Sequence, residues 1–257
     1  SGPISEVLAN LTSLRILMLS WNALTGSIPP YLCNLTQLSF LSIGGSALNG
    51  TIPACLWHLP QLTLVDISST VISGSIPEFP PTSMVEKLHL VNNSLSGTIP
   101  TSIGLLPHLQ KLSLFTNRLH GFMPSTLGST ANLYFVDLSE NLLSGNVPDT
   151  LCSSNVAQLS LRQNLFVGTL PGALRNMTRL VALDLSNNFL HGPIRGLDRL
   201  ESLTSLALQA NRLTGSLTGA FNATVQPFLE TVQLDYNQLT GTLPAELFRL
   251  PALGALS

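Results

Sequence analysis

Charge is what this chain most lacks: Asp, Glu, Lys and Arg make up 9% of its 257 residues, against about 25% in an ordinary soluble domain. From Ile16 to Val65 there are none at all. The net charge is −2 and the Lys and Arg residues stand singly. No basic stripe exists to release counterions from a phosphate backbone, so nucleic acid is not expected as a partner. Long apolar runs are missing too. Hydrophobic residues are 44% of the chain, but Gly, Pro, Asn, Ser or Thr interrupts them every few residues. No stretch reaches the roughly 18 residues of a spanning helix, and this segment itself is expected to make no membrane contact.

Chemistry-bearing constellations are also wanting. His58, His89, His108, His120 and His191 lie in separate stretches, with no His-Glu-x-x-His, no Cys-x-x-Cys and no Gly-x-Ser-x-Gly elbow. Gly44-Gly45 is not followed by the lysine of a phosphate loop. No enzyme, metal site or cofactor is expected. Only three cysteines are present, so they cannot all pair.

What the chain does contain is one pattern written ten times: a ladder of leucines, an asparagine slot and a Gly-x-Ile-Pro turn, as in LTSLRILMLSWNALTGSIPPYLCN from Leu11. The slots fall at Asn22, Ser46, Thr70, Asn93, Asn117, Asn141, Asn164, Asn188, Asn211 and Asn237, spaced by 23, 24 or, once, 26 residues. A period of roughly 20–29 residues carrying L-x-x-L-x-L-x-x-N marks units that each supply one strand and one return segment. No unit buries its leucines alone, so stability must come from stacking neighbours. The expectation is one elongated domain over residues 1–257, cut from a longer repeat array at both ends because neither end reads as a polar or disulfide-bearing cap.

Within one unit, Leu17 and Leu19 alternate with Ile16, Met18 and Ser20, the period of two of a strand with one face buried. Asn22 stands where the strand turns, and its amide can satisfy backbone groups left unpaired there. Gly26 and Pro29 then break any regular helix, which predicts an extended or 3₁₀-like return. Ten strands at about 4.8 Å spacing give an inner sheet of roughly 45 Å.

The Gly-x-Ile-Pro element recurs at Gly26, Gly50, Gly74 and Gly97, and in variant form at Gly121, Gly145, Gly168 and Gly241. With the leucine ladder it closely resembles the plant-specific leucine-rich repeat of receptor-like kinases, receptor-like proteins and polygalacturonase-inhibiting proteins, over almost the whole chain. Departures are local: Ser46 and Thr70 replace the slot asparagine, and the units at Gly192 and Gly215 lack the proline. Weaker ladders or looser turns are expected there. The resemblance implies an α/β repeat solenoid, a right-handed superhelix with one parallel inner sheet and 3₁₀ or extended returns. It also implies an extracellular recognition module in the apoplast, secreted or part of a plasma-membrane ectodomain. Such a module would bind a peptide or protein on its concave face, with a co-receptor kinase ectodomain as a second partner. The rival within the same resemblance is a secreted inhibitor of a cell-wall-degrading hydrolase. An ice-binding solenoid is disfavoured because no serine or threonine column runs unbroken along one face.

Six Asn-x-Ser/Thr acceptors, Asn10, Asn34, Asn49, Asn92, Asn176 and Asn222, suit glycosylation in the secretory pathway. Cys33 and Cys55 occupy adjacent units on the return side and can bridge if their Cβ vectors agree. Cys152 is too distant along the stack to join them. Binding must then use strand positions six, four, two and one residues before each slot. Through the middle units these columns bring Lys87, His89, Lys111, Phe115, Phe135, Asp137 and Arg162 together as candidate ligand contacts. Asp137, like Asp184, belongs to the repeat's own Asp-Leu-Ser wording and has an equally good scaffold reading.

Overall fold

A computed structural model describes residues 2–153 and 155–257. Eleven short strands, from Ile16–Met18 to Ala255–Leu256, form a single parallel sheet whose spatial order follows the chain order. Pairing is strictly in register: Lys87 lies beside Lys111, which lies beside Phe135, which lies beside Gln158. The middle residue of each of the first ten strands, such as Leu88, Leu112, Val136 and Leu183, is buried. With the leucines two residues further on and those of the return segment, these residues make one continuous core. Burying a fully enclosed leucine stabilises by about 1.5–3 kcal/mol, which no single unit could realise.

The turn after each strand is left-handed. The residue before every slot has positive φ, from Trp21 at 58° to Tyr236 at 55°. Such a conformation costs a non-glycine residue roughly 1–2 kcal/mol, and cross-unit backbone bonds hold it: Asn92 N–H donates to Phe115 O and Thr116 N–H to Ser139 O. The asparagine slots lock the same corner. Asn141 Nδ2 donates to Leu138 O and Ser139 O in its own unit and to Leu114 O in the preceding one, while its Oδ1 accepts the Leu119 N–H. Asn164, Asn188 and Asn211 repeat this set. At the second slot the Ser46 hydroxyl reaches only Ile43 O.

Most return segments introduced by a proline are single 3₁₀ turns, as in Pro30–Asn34, Thr101–Leu105 and Gly172–Asn176, whereas the segment after Gly74, with Pro77, Pro80 and Pro81, stays extended. The units at Gly192 and Gly215, which lack that proline, have no 3₁₀ turn among their described residues. No described residue is α-helical, so the helical layer of the expected α/β class is entirely 3₁₀. The single inner sheet is the one expected, and further short sheets stand beside it. Beyond each slot the chain forms a second, shorter set of parallel strands, in pairs or threes, on the flank of the solenoid. They form because the Gly after each slot takes positive φ, as at Gly121 and Gly145, and aligns successive turns closely enough to pair.

The expected bridge is present: Cys33 and Cys55 are disulfide-bonded with Cα atoms 5.8 Å apart. Cys152 is buried and unpaired, and desolvation, with Asp149 adding to it, pushes its thiol up to about 12. Such a thiol is inert. No helix among the described residues is long and apolar enough to cross a membrane.

Candidate ligand-binding face

The side chains before each slot converge on the inner face because alternate residues of a strand share a side and neighbouring units are in register. Lys87, Lys111 and Phe135 stand in one row across three adjacent strands. His89 and Asp137 occupy the next row, separated by Ser113. The Lys111 ammonium sits 4.7 Å from the Phe135 ring centroid, an attraction of about 0.5–1 kcal/mol at an accessible site. Phe115 and Arg162 lie at the edge where the strands turn; Phe115 is half-buried and Arg162 exposed. All seven candidates therefore share one face, but as a central group of five and two outliers. Ser113 and Ser139, in columns expected to be open, are buried, Ser139 with its hydroxyl turned to Asp137.

The face is not flat. Where Ser160, Ala182, Ser205 and Ala207 replace larger residues, a depression of about 280 Å³ opens between Phe135 and Gln233, with Asp137 and Asp184 in its lining. A second one, about 380 Å³, lies among Phe40, Leu64, Asp66, Ser68 and His89. Small residues at a fixed column remove volume from an otherwise continuous surface, and that carves a groove.

The electrostatics separate scaffold from contact. Asp137 Oδ1 accepts both the backbone N–H and the hydroxyl of Ser139, and Asp184 does the same with Ser186. Both aspartates thus close their own turns. Burial raises the Asp137 pKa, with Asp184 and Glu140 adding to the rise and the Ser139 hydrogen bonds opposing it. Burial lowers that of His89; Lys111 and Lys87 add to the fall and Asp66 opposes it. No group of three His, Cys, Asp or Glu able to hold a metal occurs among the described residues.

Five glycan acceptors, Asn10, Asn34, Asn49, Asn92 and Asn176, are exposed. Asn222 is half-buried, its Oδ1 accepting from the Thr224 N–H and hydroxyl. Asn92 stands on the rim of the inner face.

Trp21 is 81% exposed and covers Gly45, where a Cβ would enter its indole ring. Gly45 also takes the left-handed corner of its unit (φ 61°). The Gly44-Gly45 pair is thus a packing device of the corner. The Trp57–Phe79 stack on the return side, with centroids 4.5 Å apart, escaped the sequence reading because both residues lie outside the repeated positions.

The Leucine Rich Repeat family model matches residues 13–35, 84–106, 132–154 and 228–250. This is a leucine-rich-repeat protein. Comparison with curated proteins finds no significant match. Among solved structures, the leucine-rich-repeat chain resembles the plant peptide hormone receptor RGFR1 in complex with RGF2 at 34% identity and TM-score 0.94, covering 100% of this chain and 41% of that one. It resembles the Arabidopsis receptor kinase HAESA ectodomain in complex with an IDA peptide hormone at 33% identity and TM-score 0.92, covering 100% and 43%. A complex of HAESA with IDA and the co-receptor SERK1 matches at 30% identity and TM-score 0.83, covering 99% and 47%. The leucine-rich-repeat chain spans less than half the length of each of these receptors.

Proposed function

We propose that this solenoid is the ligand-recognition part of an extracellular plant receptor and takes an extended peptide along its inner face. The observation that carries the reading is the central row of Lys87, Lys111 and Phe135 beside a groove formed by small side chains. An extended peptide rises about 3.3 Å per residue, so a ten-residue hormone-sized ligand would run over roughly seven units. The similarity to receptors solved with peptide hormones supports the same conclusion. The disulfide and the exposed acceptor asparagines suit a secreted location. A co-receptor ectodomain, as in the HAESA complex with SERK1, is the natural second partner. Binding without chemistry is the reading that the similarity to ligand-binding ectodomains supports.

The test is a binding screen of the purified chain against synthetic secreted plant peptides, with a fungal polygalacturonase as a separate arm. A peptide hit that weakens by about tenfold or more in a Phe115→Ala/Phe135→Ala variant, with an unchanged melting profile, supports the reading. Capture of the hydrolase and of no peptide would replace the receptor reading with the inhibitor one. Loss of folding in the variant would mean the two rings are core.

A further inference from the structure

The flank of the solenoid, formed by the second set of strands, carries a pattern that peptide recognition does not use. Its outward positions lie one, three and five residues beyond each slot, as the exposed–buried alternation of Leu142–Gly145 shows. Over the first four units these positions are almost all Ser, Thr, Asn or Ala. From the fifth to the eighth unit the polar field is interrupted by Phe122, Leu142, Leu165, Val167 and Phe189, all exposed, Phe122 by 75%. Five large apolar side chains in four consecutive units make an island on the order of a few hundred Å², a size that marks interaction sites on soluble proteins.

The island is bounded by cations. Arg118 stands at its first edge and Arg212 at its last, both exposed, with His120 and His191 beside them. Arg212 lies 4.8 Å from the Phe189 ring centroid, which holds the guanidinium at the apolar edge. No Asp or Glu occupies any outward position of this flank. Four unit steps at about 4.8 Å place the two arginines roughly 19 Å apart.

We propose that this flank docks a protein partner whose surface presents an apolar ridge closed at each end by carboxylates. Charge complementarity selects that occupant. A second copy of the chain, paired about a two-fold axis through Leu165, would set Arg118 of one against Arg212 of the other, and like charges repel. An anionic bilayer would find only two permanent cations, too few for stable anchoring. A polysaccharide would find aliphatic side chains where it needs hydrogen-bond donors, and a Phe189 face already covered by Arg212. The flank is separate from the inner face, so both can be occupied together.

The probe is a cyclic β-hairpin peptide about six residues long per strand, displaying Leu, Phe and Val on one face and Glu at each end, beside a twin with Lys replacing Glu. Methyl NMR of the full chain is expected to show shifts at Leu142, Leu165 and Val167 with the acidic hairpin, and roughly tenfold weaker binding of the lysine twin. An Arg118→Glu/Arg212→Glu variant is expected to reverse that preference. All substituted residues are exposed, and a melting profile confirms the fold of each variant. Absence of methyl shifts with either hairpin overturns the proposal, as does a preference that the charge swap leaves unchanged. Dimerisation lost in Leu165→Asp, or binding to phosphatidylserine vesicles in place of the hairpin, would assign the island to another occupant and equally overturn it.

Discussion

The units around Ser46 and Thr70 and those from Asn117 to Asn211 bury the same leucines but are tied together differently. In the later group each slot asparagine donates to carbonyls of two units and accepts a backbone N–H, so consecutive corners are laced along the inner edge. In the earlier group the Ser46 hydroxyl makes one bond, and the Thr70 hydroxyl reaches only across to Asn93 Oδ1 while accepting the Ile72 N–H. Those weaker corners coincide with two ties on the opposite wall, the Cys33–Cys55 bridge and the Trp57–Phe79 stack. A stacked-repeat protein needs each interface to be stable, and this one meets the need with buried amides in one half and with covalent and aromatic links in the other.

The sharpest way to break that comparison is to remove a slot in each half. Asn141→Ala leaves the Leu119 N–H without its partner and takes one of two amide donors from each of Leu114 O and Leu138 O; it is expected to cost about 4 kcal/mol, against about 1 kcal/mol for Ser46→Ala. Chemical denaturation measures both, and equal losses would refute the difference between the halves. Next in size, Cys33→Ser with Cys55→Ser opens a span of 22 residues, for an expected loss of about 3 kcal/mol. Hydrogen exchange should place the loosening in the units between Cys33 and Phe79; equal loosening around Asn141 would show that the bridge acts on the whole stack.

The smallest effect concerns pH. Burial depresses His89 below its ordinary 6.5, so the folded chain favours the neutral ring. Its contribution is complete above pH 6.5 and is lost as pH falls through the lowered folded value. His89→Gln should therefore flatten the decline of melting temperature on acidification below pH 6.5. An unchanged slope would remove His89 from the account.

Much of the architecture is legible in single repeats. Leu17, Asn22 and Gly26 declare strand, corner and turn because each follows from a local pattern of burial or backbone freedom. The inner-face candidates are legible as columns, which is why Lys111 and Phe135 could be placed side by side. The Trp57–Phe79 stack was not legible, since neither residue belongs to the repeated wording and their contact crosses 22 positions. The flanking island was in principle readable, because the positions beyond each slot also form columns, but nothing local reveals that those columns become paired strands.

The sequence by itself determined the repeat length, the buried ladder and the succession of corners, because each is a contest between residues a few positions apart. Tertiary structure alone decided which outward columns stay open and which are buried, as at Ser113 and Ser139, and whether Cys33 meets Cys55. Those outcomes depend on side-chain volumes and Cβ directions in neighbouring coils about 24 residues away, where close packing acts and chain proximity does not.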